Sequence, residues 1–589
     1  MTTRATRGPR RRTVVALAVI LSVLVAFVVR LVDIQVVSAD EHVSESLEHL
    51  GASSAIPGQR GSIVDSGGTV LASSVMVYDA QLSPQVIMLV EEKKPKLPWA
   101  EASDKIAAIT GQTGDEVRAL VSNALAENPD SQYAPLKKGL NTEQYMALRD
   151  LGVGSYLSLK ARETRVYPNG AVAGNILGFL DNSGEAQAGV EKLDDSCLAP
   201  IDGEETYRKG KDGVVIPGSE RTVDAVNGGS VQLTINSDLN WYLQQMIAEE
   251  AQAQGAKGGT VTVVEVKTGK IRAAAEWPAL DPNDLDASTP ATRASQIFHH
   301  DFEPGSTFKA VTAAAAIEGA GLTPLSTVSA ASREKFPNGA VVNDAFTHPA
   351  YNYTLAGGLI DSSNVALSKF GTMVSPDVRY DYLQRFGVGD KTLDFPSEVG
   401  GILHPVSDWD NQSLYTTTFG QYFTVTAAQL AGAYQAIANG GEKIDLSLVE
   451  SCTAADGTVT APADPKREQI VKEQTAAELT RMLENVAVQG GNAERIQVPG
   501  YRVTSKTGTA QVSDGNGGYK AGVYYTSMVG FAPVDDPQYV VVVTLDEPTK
   551  VVSSAATASA FQKAMTQVMK TYRVMPSSVP MDELLPKFG

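Results

Sequence analysis

Ser306 and Lys309 stand three residues apart in Glu303-Pro304-Gly305-Ser306-Thr307-Phe308-Lys309-Ala310, where a Pro-Gly break gives way to the alanine-rich run 313–316. The pattern predicts that Ser306 opens a helix, and positions i and i+3 share one helical face, so the lysine amine comes within reach of the serine hydroxyl. A serine hydroxyl is a weak nucleophile, but an amine kept neutral by burial and a neighbouring cation can take its proton during attack. Ser306 and Lys309 therefore read as nucleophile and base. Ser-x-x-Lys alone is a weak signal: Ser332-Arg333-Glu334-Lys335 also fits it, in a polar stretch before Pro337-Asn338-Gly339. Taken alone, Ser306 reads as well as a helix cap.

Two further groups sharpen the reading. Asp361-Ser362-Ser363-Asn364-Val365-Ala366-Leu367 sets Ser-x-Asn directly before an apolar helical run, and Lys506-Thr507-Gly508-Thr509-Ala510-Gln511-Val512 sets Lys-Thr-Gly inside a strand pattern. Another Lys-Thr-Gly, Lys267-Thr268-Gly269, falls between two strand patterns and reads as their turn. Glycine weakens a strand unless another backbone approaches closely, so Gly508 suggests a sheet edge that receives an extended substrate, with Lys506 holding a carboxylate. The order Ser-x-x-Lys, Ser-x-Asn, Lys-Thr-Gly, with gaps of roughly 50 and 140 residues, is far more specific than its parts.

The elements that must bring these groups together are legible. Leu239, Leu243, Met246 and Ile247 recur at helical spacing behind a cap at Asn236, Ser237 or Asp238. Residues 259–266 and 271–275 form a hairpin pattern. Residues 501–512, 523–531 and 539–545 form three more strands, the last holding the buried-type run Val540-Val541-Val542-Val543, and residues 554–572 a closing helix. Strands at both ends of a helix-rich middle predict an α+β domain whose terminal segments share one sheet. Asp514-Gly515-Asn516-Gly517-Gly518 reads as a hairpin tip, being too short for a calcium loop. Upstream, short strand patterns at 61–64 and 69–72 mix with helical ones at 99–109 and 115–125, without a catalytic cluster, as far as a connector at 217–229. The tail beyond Met575, with Pro576, Pro580 and Pro586, reads as irregular.

Composition narrows the partners. The chain has 589 residues, 49 basic against 67 acidic, a net charge of −18, and 43% hydrophobic residues. It is long enough for several domains and a full core, and its acidity argues against nucleic acid, which needs clustered Lys and Arg. Residues 13–29 carry no charge, and Leu31 and Val32 extend the apolar span to about 20 residues, the length of a bilayer-crossing helix. Arg4, Arg7, Arg10, Arg11 and Arg12 precede it and Asp33, Asp40 and Glu41 follow, which places the N-terminus in the cytoplasm and the rest outside. A signal peptide cut near Val37-Ser38-Ala39 is the competing reading, disfavoured by Arg30, Asp33 and Gln35 before the cut; a twin-arginine signal matches loosely. Cys197 and Cys452 lie far apart and read as isolated thiols, although a bridge between them stays open. The adjacent His299 and His300 have poor ligand spacing, so neither metal nor cofactor is expected.

The ordered triple resembles the penicillin-binding protein and serine β-lactamase superfamily. Residues 303–309 are similar to the Tyr-Glu-Pro-Gly-Ser-x-Phe-Lys region of class B high-molecular-weight enzymes, with Phe302 for Tyr. Arg60-Gly61-Ser62-Ile63-Val64-Asp65 with Gly67-Gly68 and Leu71-Ala72, then Arg165-Val166-Tyr167-Pro168, Gly178-Phe179 and Gly189-Val190-Glu191, look like marks of their non-catalytic module. The resemblance implies a peptidoglycan D,D-transpeptidase that β-lactams acylate. Ser306 would be the nucleophile, Lys309 the base, Ser362 the relay to the leaving amine and Asn364 the holder of the substrate amide. Lys506 and Thr507 would bind the terminal carboxylate, and the N–H groups of Ser306 and Thr509 beside Gly508 would form the oxyanion hole.

It also implies one membrane helix, an elongated mixed α/β pedestal, and a transpeptidase domain with a five-stranded antiparallel-type sheet flanked by helices. The expected limits are a cytoplasmic tail at 1–12, an anchor at 13–32, a pedestal or dimerisation module at 40–225, a transpeptidase domain at 228–575 and an irregular tail at 576–589. Implied partners are peptidoglycan stem peptides, β-lactams, the membrane, an FtsW-type membrane glycosyltransferase and other divisome proteins, at the septum of an FtsI-type system. No Glu-x-x-x-Asn follows Glu398, since position 402 is Ile402, so fast β-lactam hydrolysis is not expected; nor is there a glycosyltransferase pattern. A β-lactam sensor or a divisome scaffold is the alternative reading; the sensor needs more membrane spans than the one found here.

Overall fold

The computed structural model describes residues 8–37, 51–208 and 216–589. Gly8–Val32 is one α-helix, continued by a π-helical turn, Asp33–Val37. Its segment Arg11–Val32, 22 residues or about 33 Å of helix, has a mean hydropathy of 2.9 over its most apolar 18 residues and is long enough to cross a bilayer core. Arg4, Arg7, Asp40 and Glu41, and Ser38 and Ala39 of the candidate cleavage site, lie outside the described residues.

Contacts divide the chain into two compact units, one of residues up to 59 with 200–228, the other of 60–199 with 229–589. The first contains an antiparallel sheet in the order Gly51–Ile56, Gly203–Arg208, Arg221–Val223.

In the second unit, the long strand Val70–Leu82 pairs with Ala134–Leu140 and Leu157–Val166. Helices Trp99–Thr110 and Gly114–Glu127 help close a core of Leu82, Ile87, Ile106, Val117 and Leu148. The Arg-Gly, Arg-x-Tyr-Pro and Gly-x-Glu marks converge on one buried carboxylate. Glu191 accepts from Arg60 Nε and Arg165 Nε, each at 2.7 Å, and from the Tyr167 hydroxyl at 3.2 Å. Two cations and a phenol around one desolvated carboxylate satisfy it where a lone charge would not be tolerated. Gly178 and Gly189 are obligatory beside it, because a Cβ on Gly178 would stand 1.9 Å from Ala188 O. Ser230–Leu233 runs parallel to Ile63–Val64 and antiparallel to Val449–Thr453.

The central sheet has five strands, β1 (Gly258–Glu265), β2 (Ile271–Trp277), β3 (Lys506–Ser513), β4 (Tyr519–Ala532) and β5 (Tyr539–Asp546), in the antiparallel order β2-β1-β5-β4-β3. The first and last thirds of the domain thus meet at β1 and β5, and Val540–Val543 fill the fully buried middle position. The helix Ser237–Gln254, capped by Asn236 accepting from Leu239 N at 2.8 Å, packs with Ala555–Thr571 on one face. Ala427–Ala438 and the helix carrying Lys309 belong to the larger core. Asp514 and Gly518 do form the tip of the β3–β4 hairpin, whereas residues 501–505 precede β3 instead of extending it.

One expectation is corrected. Cys197 and Cys452 form a disulfide across 255 residues of sequence. Pairing of Val449–Thr453 with Ser230–Leu233 sets Cys452 opposite Val231, and Gly229 N donates to Cys197 O at 2.7 Å, so tertiary structure supplies the proximity that spacing does not. The tail after Met575 lacks helix and strand, yet it is held in place: Ser577 Oγ donates to Asp535, Leu585 is buried, and Lys587 bonds to Asp361.

Replacing both cysteines with serine lowers the unfolding free energy by roughly 2–5 kcal/mol, as for other native disulfides. A denaturation midpoint that dithiothreitol leaves unchanged in the wild-type protein would refute a stabilising bridge.

Candidate functional site

Ser306 lies in a 3₁₀ turn, Gly305–Phe308, and the α-helix Lys309–Ala320 starts only at Lys309. The expected helix therefore begins one turn late, but 3₁₀ geometry eclipses i and i+3 and still sets Ser306 and Lys309 on one side. The turn is pinned by long-range bonds. Gly305 N donates to Gly420 O at 2.9 Å, and the buried Tyr434 hydroxyl donates to Thr307 O at 2.7 Å. Gly420, at φ +86°, admits no side chain, since its Cβ would stand 1.9 Å from Gly305 O.

Strand β3 is an edge strand, as expected. The backbone that comes close to Gly508 is that of the turn carrying Ser306, with a Cβ there only 2.9 Å from Pro304 O and 2.3 Å from Ser527 Oγ. Gly508 therefore serves the close approach of strand to turn, where the sequence suggested an approaching substrate. Thr507 is half-buried, and the exposed Thr509 accepts from Ser554 N through its Oγ1 at 3.0 Å.

The two motif lysines are fully buried and meet at Ser362. Lys309 Nζ donates to Ser362 O at 2.5 Å and Ser362 Oγ at 3.2 Å, and Lys506 Nζ donates to the same Oγ at 3.0 Å. Burial, reinforced by the Lys506 charge, pushes the Lys309 pKa well below the ordinary lysine value, while Asp344 opposes the shift. Burial brings Lys506 down to about 7. Ser306 is half-buried, and among the described residues its hydroxyl has no hydrogen-bond partner; the amine expected beside it bonds to Ser362 instead.

Ser362 has φ +56°, uncommon for a residue with a side chain. It ends the helix Leu355–Ile360, where the N–H groups of Asp361, Ser362 and Ser363 donate to the carbonyls of Gly357, Leu359 and Gly358. A left-handed residue at a helix end is normally glycine, so serine here bears a strain of order 1–3 kcal/mol in return for its hydroxyl. Asn364 begins the helix Asn364–Gly371, and its Nδ2 donates to Asn343 O at 2.9 Å. That orients Oδ1 as the amide atom left to accept a further bond.

Sequence reasoning missed Asp344. Its carboxylate, fully buried, accepts from Ser363 Oγ at 2.7 Å, from Val365 N at 3.0 Å, and from His348 Nε2 at 2.9 Å. It holds the turn carrying Ser362 and Asn364, yet no motif marks it, because its partners come from other elements. Glu303 likewise clamps the approach to Ser306, accepting from Tyr422 N at 2.8 Å and the Tyr519 hydroxyl at 2.9 Å; burial raises its pKa. Glu398 is occupied, accepting from Thr392 N and Oγ1, Leu393 N and Phe395 N. Among the described residues no cluster of three His, Cys, Asp or Glu is placed to hold a metal.

Known proteins resemble this chain over most of its length. Residues 259–569 match the penicillin binding protein transpeptidase domain, and residues 55–233 the penicillin-binding protein dimerisation domain. Penicillin-binding protein PbpB of Mycolicibacterium smegmatis is 32% identical across 95% of this chain and 90% of its own. Peptidoglycan D,D-transpeptidase FtsI of Escherichia coli is 27% identical across 93% and 89%. Among solved structures, penicillin binding protein 3 from Mycobacterium tuberculosis complexed with aztreonam superposes with a TM-score of 0.69 at 25% identity, covering 91% of this chain and all of that one.

Asp344→Asn keeps the side-chain shape but removes the charge that holds the Lys309 pKa up. Lys309 then stays neutral to lower pH, and the acid limb of acylation by an activated acyl ester moves to lower pH. An unmoved limb would exclude Asp344 as the counter-charge.

Proposed function

The chain belongs to the class B penicillin-binding proteins and is a serine peptidoglycan D,D-transpeptidase, and from that premise we propose that Ser306 is its nucleophile and that Lys309, Ser362, Asn364 and Lys506 serve it in distinct roles. The observation that carries this reading is the meeting of two buried lysine amines at the Ser362 hydroxyl, with Lys309 one turn after the half-buried Ser306, whose hydroxyl has no hydrogen-bond partner among the described residues.

A neutral Lys309 amine has two N–H groups and one lone pair. The N–H groups are engaged by the Ser362 carbonyl and hydroxyl, and the lone pair remains to take the Ser306 proton as Oγ attacks the penultimate D-Ala carbonyl of a stem peptide. The resulting oxyanion is received by the N–H groups of Ser306 and Thr509, each such donor contributing about 3 kcal/mol. Ser362, accepting from both lysines, keeps its own O–H to donate to the departing D-Ala nitrogen, and the proton on Lys309 replaces it. Asn364 Oδ1 accepts from the substrate amide, while Lys506 with Thr507 holds the terminal carboxylate, whose charge favours protonated Lys506. An amine of a neighbouring strand then attacks the ester, Ser306 leaves with its proton restored, and a cross-link is formed.

β-Lactams enter the same path, and their acyl-enzyme persists. Glu398 has its carboxylate saturated by local bonds and is unsuited to activating water. The apolar helix supports a single-pass anchor with the N-terminus cytoplasmic, and the disulfide supports an oxidising, extracytoplasmic compartment for the catalytic domain. The two family matches support a pedestal at 40–225 and a catalytic domain at 228–575. Similarity to FtsI supports a septal role beside an FtsW-type glycosyltransferase and other divisome proteins.

Intact-mass analysis after penicillin treatment should find one lasting adduct on the wild type and none on Ser306→Ala; an adduct on the variant would overturn the assignment. For the free enzyme, kcat/KM of acylation should rise with pH as Lys309 gives up its proton and fall above about 7 as Lys506 loses its charge. A rate still climbing at alkaline pH would show that the Lys506 charge is not needed.

A further inference from the structure

The six-residue helix Leu355–Ile360 delivers Ser362, and a helix so short is not stable unless its ends are held. Its N-cap is Thr354, whose Oγ1 accepts from Gly357 N at 2.8 Å, and its C-cap is Asp361, the residue before Ser362. Both caps are bound by the tail that the sequence suggests is irregular. Thr354 Oγ1 donates to Pro586 O at 2.7 Å, and Thr354 N donates to Lys587 O at 3.0 Å. Lys587 Nζ then donates to Asp361 Oδ1 at 2.6 Å, so backbone and side chain of one residue span the helix from cap to cap. The approach is close enough that a Cβ on Gly357 would lie 1.9 Å from Lys587 O.

The tail itself is anchored on both sides of Lys587. Leu585 N donates to Asn485 Oδ1 at 2.9 Å, and Gln489 Nε2 donates to Leu585 O at 3.0 Å. The Phe588 ring packs against Tyr351 and Tyr353 with centroids 4.7 and 5.1 Å away. Lys587 is therefore held by a rigid neighbour, and the ion pair with Asp361 is only partly exposed, at 29% and 16% of the two side chains.

We propose that Lys587 is a positioning residue for acylation: by clamping both caps of this helix it holds Ser362, at its strained φ, between the two lysine amines. The inference rests on the relay role of Ser362 given above. Lys587→Met in the full chain removes the ammonium and leaves the backbone clamp. The acylation rate constant for a fluorescent penicillin should fall roughly tenfold, within the coupling range of residues in one network. The pre-covalent dissociation constant should stay within about twofold and the melting midpoint within about 2 °C, because the substrate-binding groups and the core are untouched. Lys587→Arg should restore most of the rate, and Asp361→Asn combined with Lys587→Met should be no slower than either alone.

Wild-type acylation by Lys587→Met, an equal loss in pre-covalent binding, or failure of arginine to rescue would overturn the proposal. If Lys587→Met melts early, Asp361→Asn removes the same ion pair and reads the same step. Ser362→Ala separates the two readings: wild-type acylation by that variant defeats the relay itself, whereas a slow Ser362→Ala beside a fast Lys587→Met defeats only the positioning role.

Discussion

Two lysine amines, both shut off from water, share a single serine hydroxyl, and much of the surrounding fold exists to make that arrangement tolerable. A buried ammonium is costly unless it is paired or gives up its proton. The nearby buried carboxylate, Asp344, already accepts from Ser363, His348 and Val365, so it moderates the field without pairing with either lysine. The remaining way to lower the energy is loss of a proton. Burial thus favours an amine that is already neutral near neutral pH, with its lone pair free.

Such a centre needs precise backbone placement, which explains where the chain accepts side-chain-free or strained positions. Gly420 and Gly508 let the Ser306 turn press against a loop and against the edge of the sheet. Ser362 occupies a left-handed position that glycine would hold with less strain, because only serine supplies the shared hydroxyl. Rigid partners keep these sites from relaxing: the central sheet behind β3, Tyr434 under the turn, and the tail across the short helix.

The pedestal uses the opposite electrostatic solution. There a buried anion, Glu191, is surrounded by Arg60, Arg165 and Tyr167, and its charges are fully paired. The same principle, that a desolvated charge must be answered, produces a passive structural knot in one place and a buried amine of depressed pKa in another.

Motif order, strand alternation and helical spacing are local properties, and the sequence alone therefore determined the anchor-type helix, the α+β class, the five strands and the identities of the motif serines and lysines. Those signals survive because side-chain period follows directly from backbone geometry. Only tertiary structure decided that Lys309 bonds to Ser362 and that Gly508 faces Pro304. It alone joined Cys197 to Cys452 across 255 residues and turned a proline-bearing tail into a brace. Asp344 belongs with these: nothing around it in the chain marks it, since its importance lies in partners that only folding brings near. Proximity between distant segments is set by how strands pair and helices pack, and single-chain spacing carries no record of it.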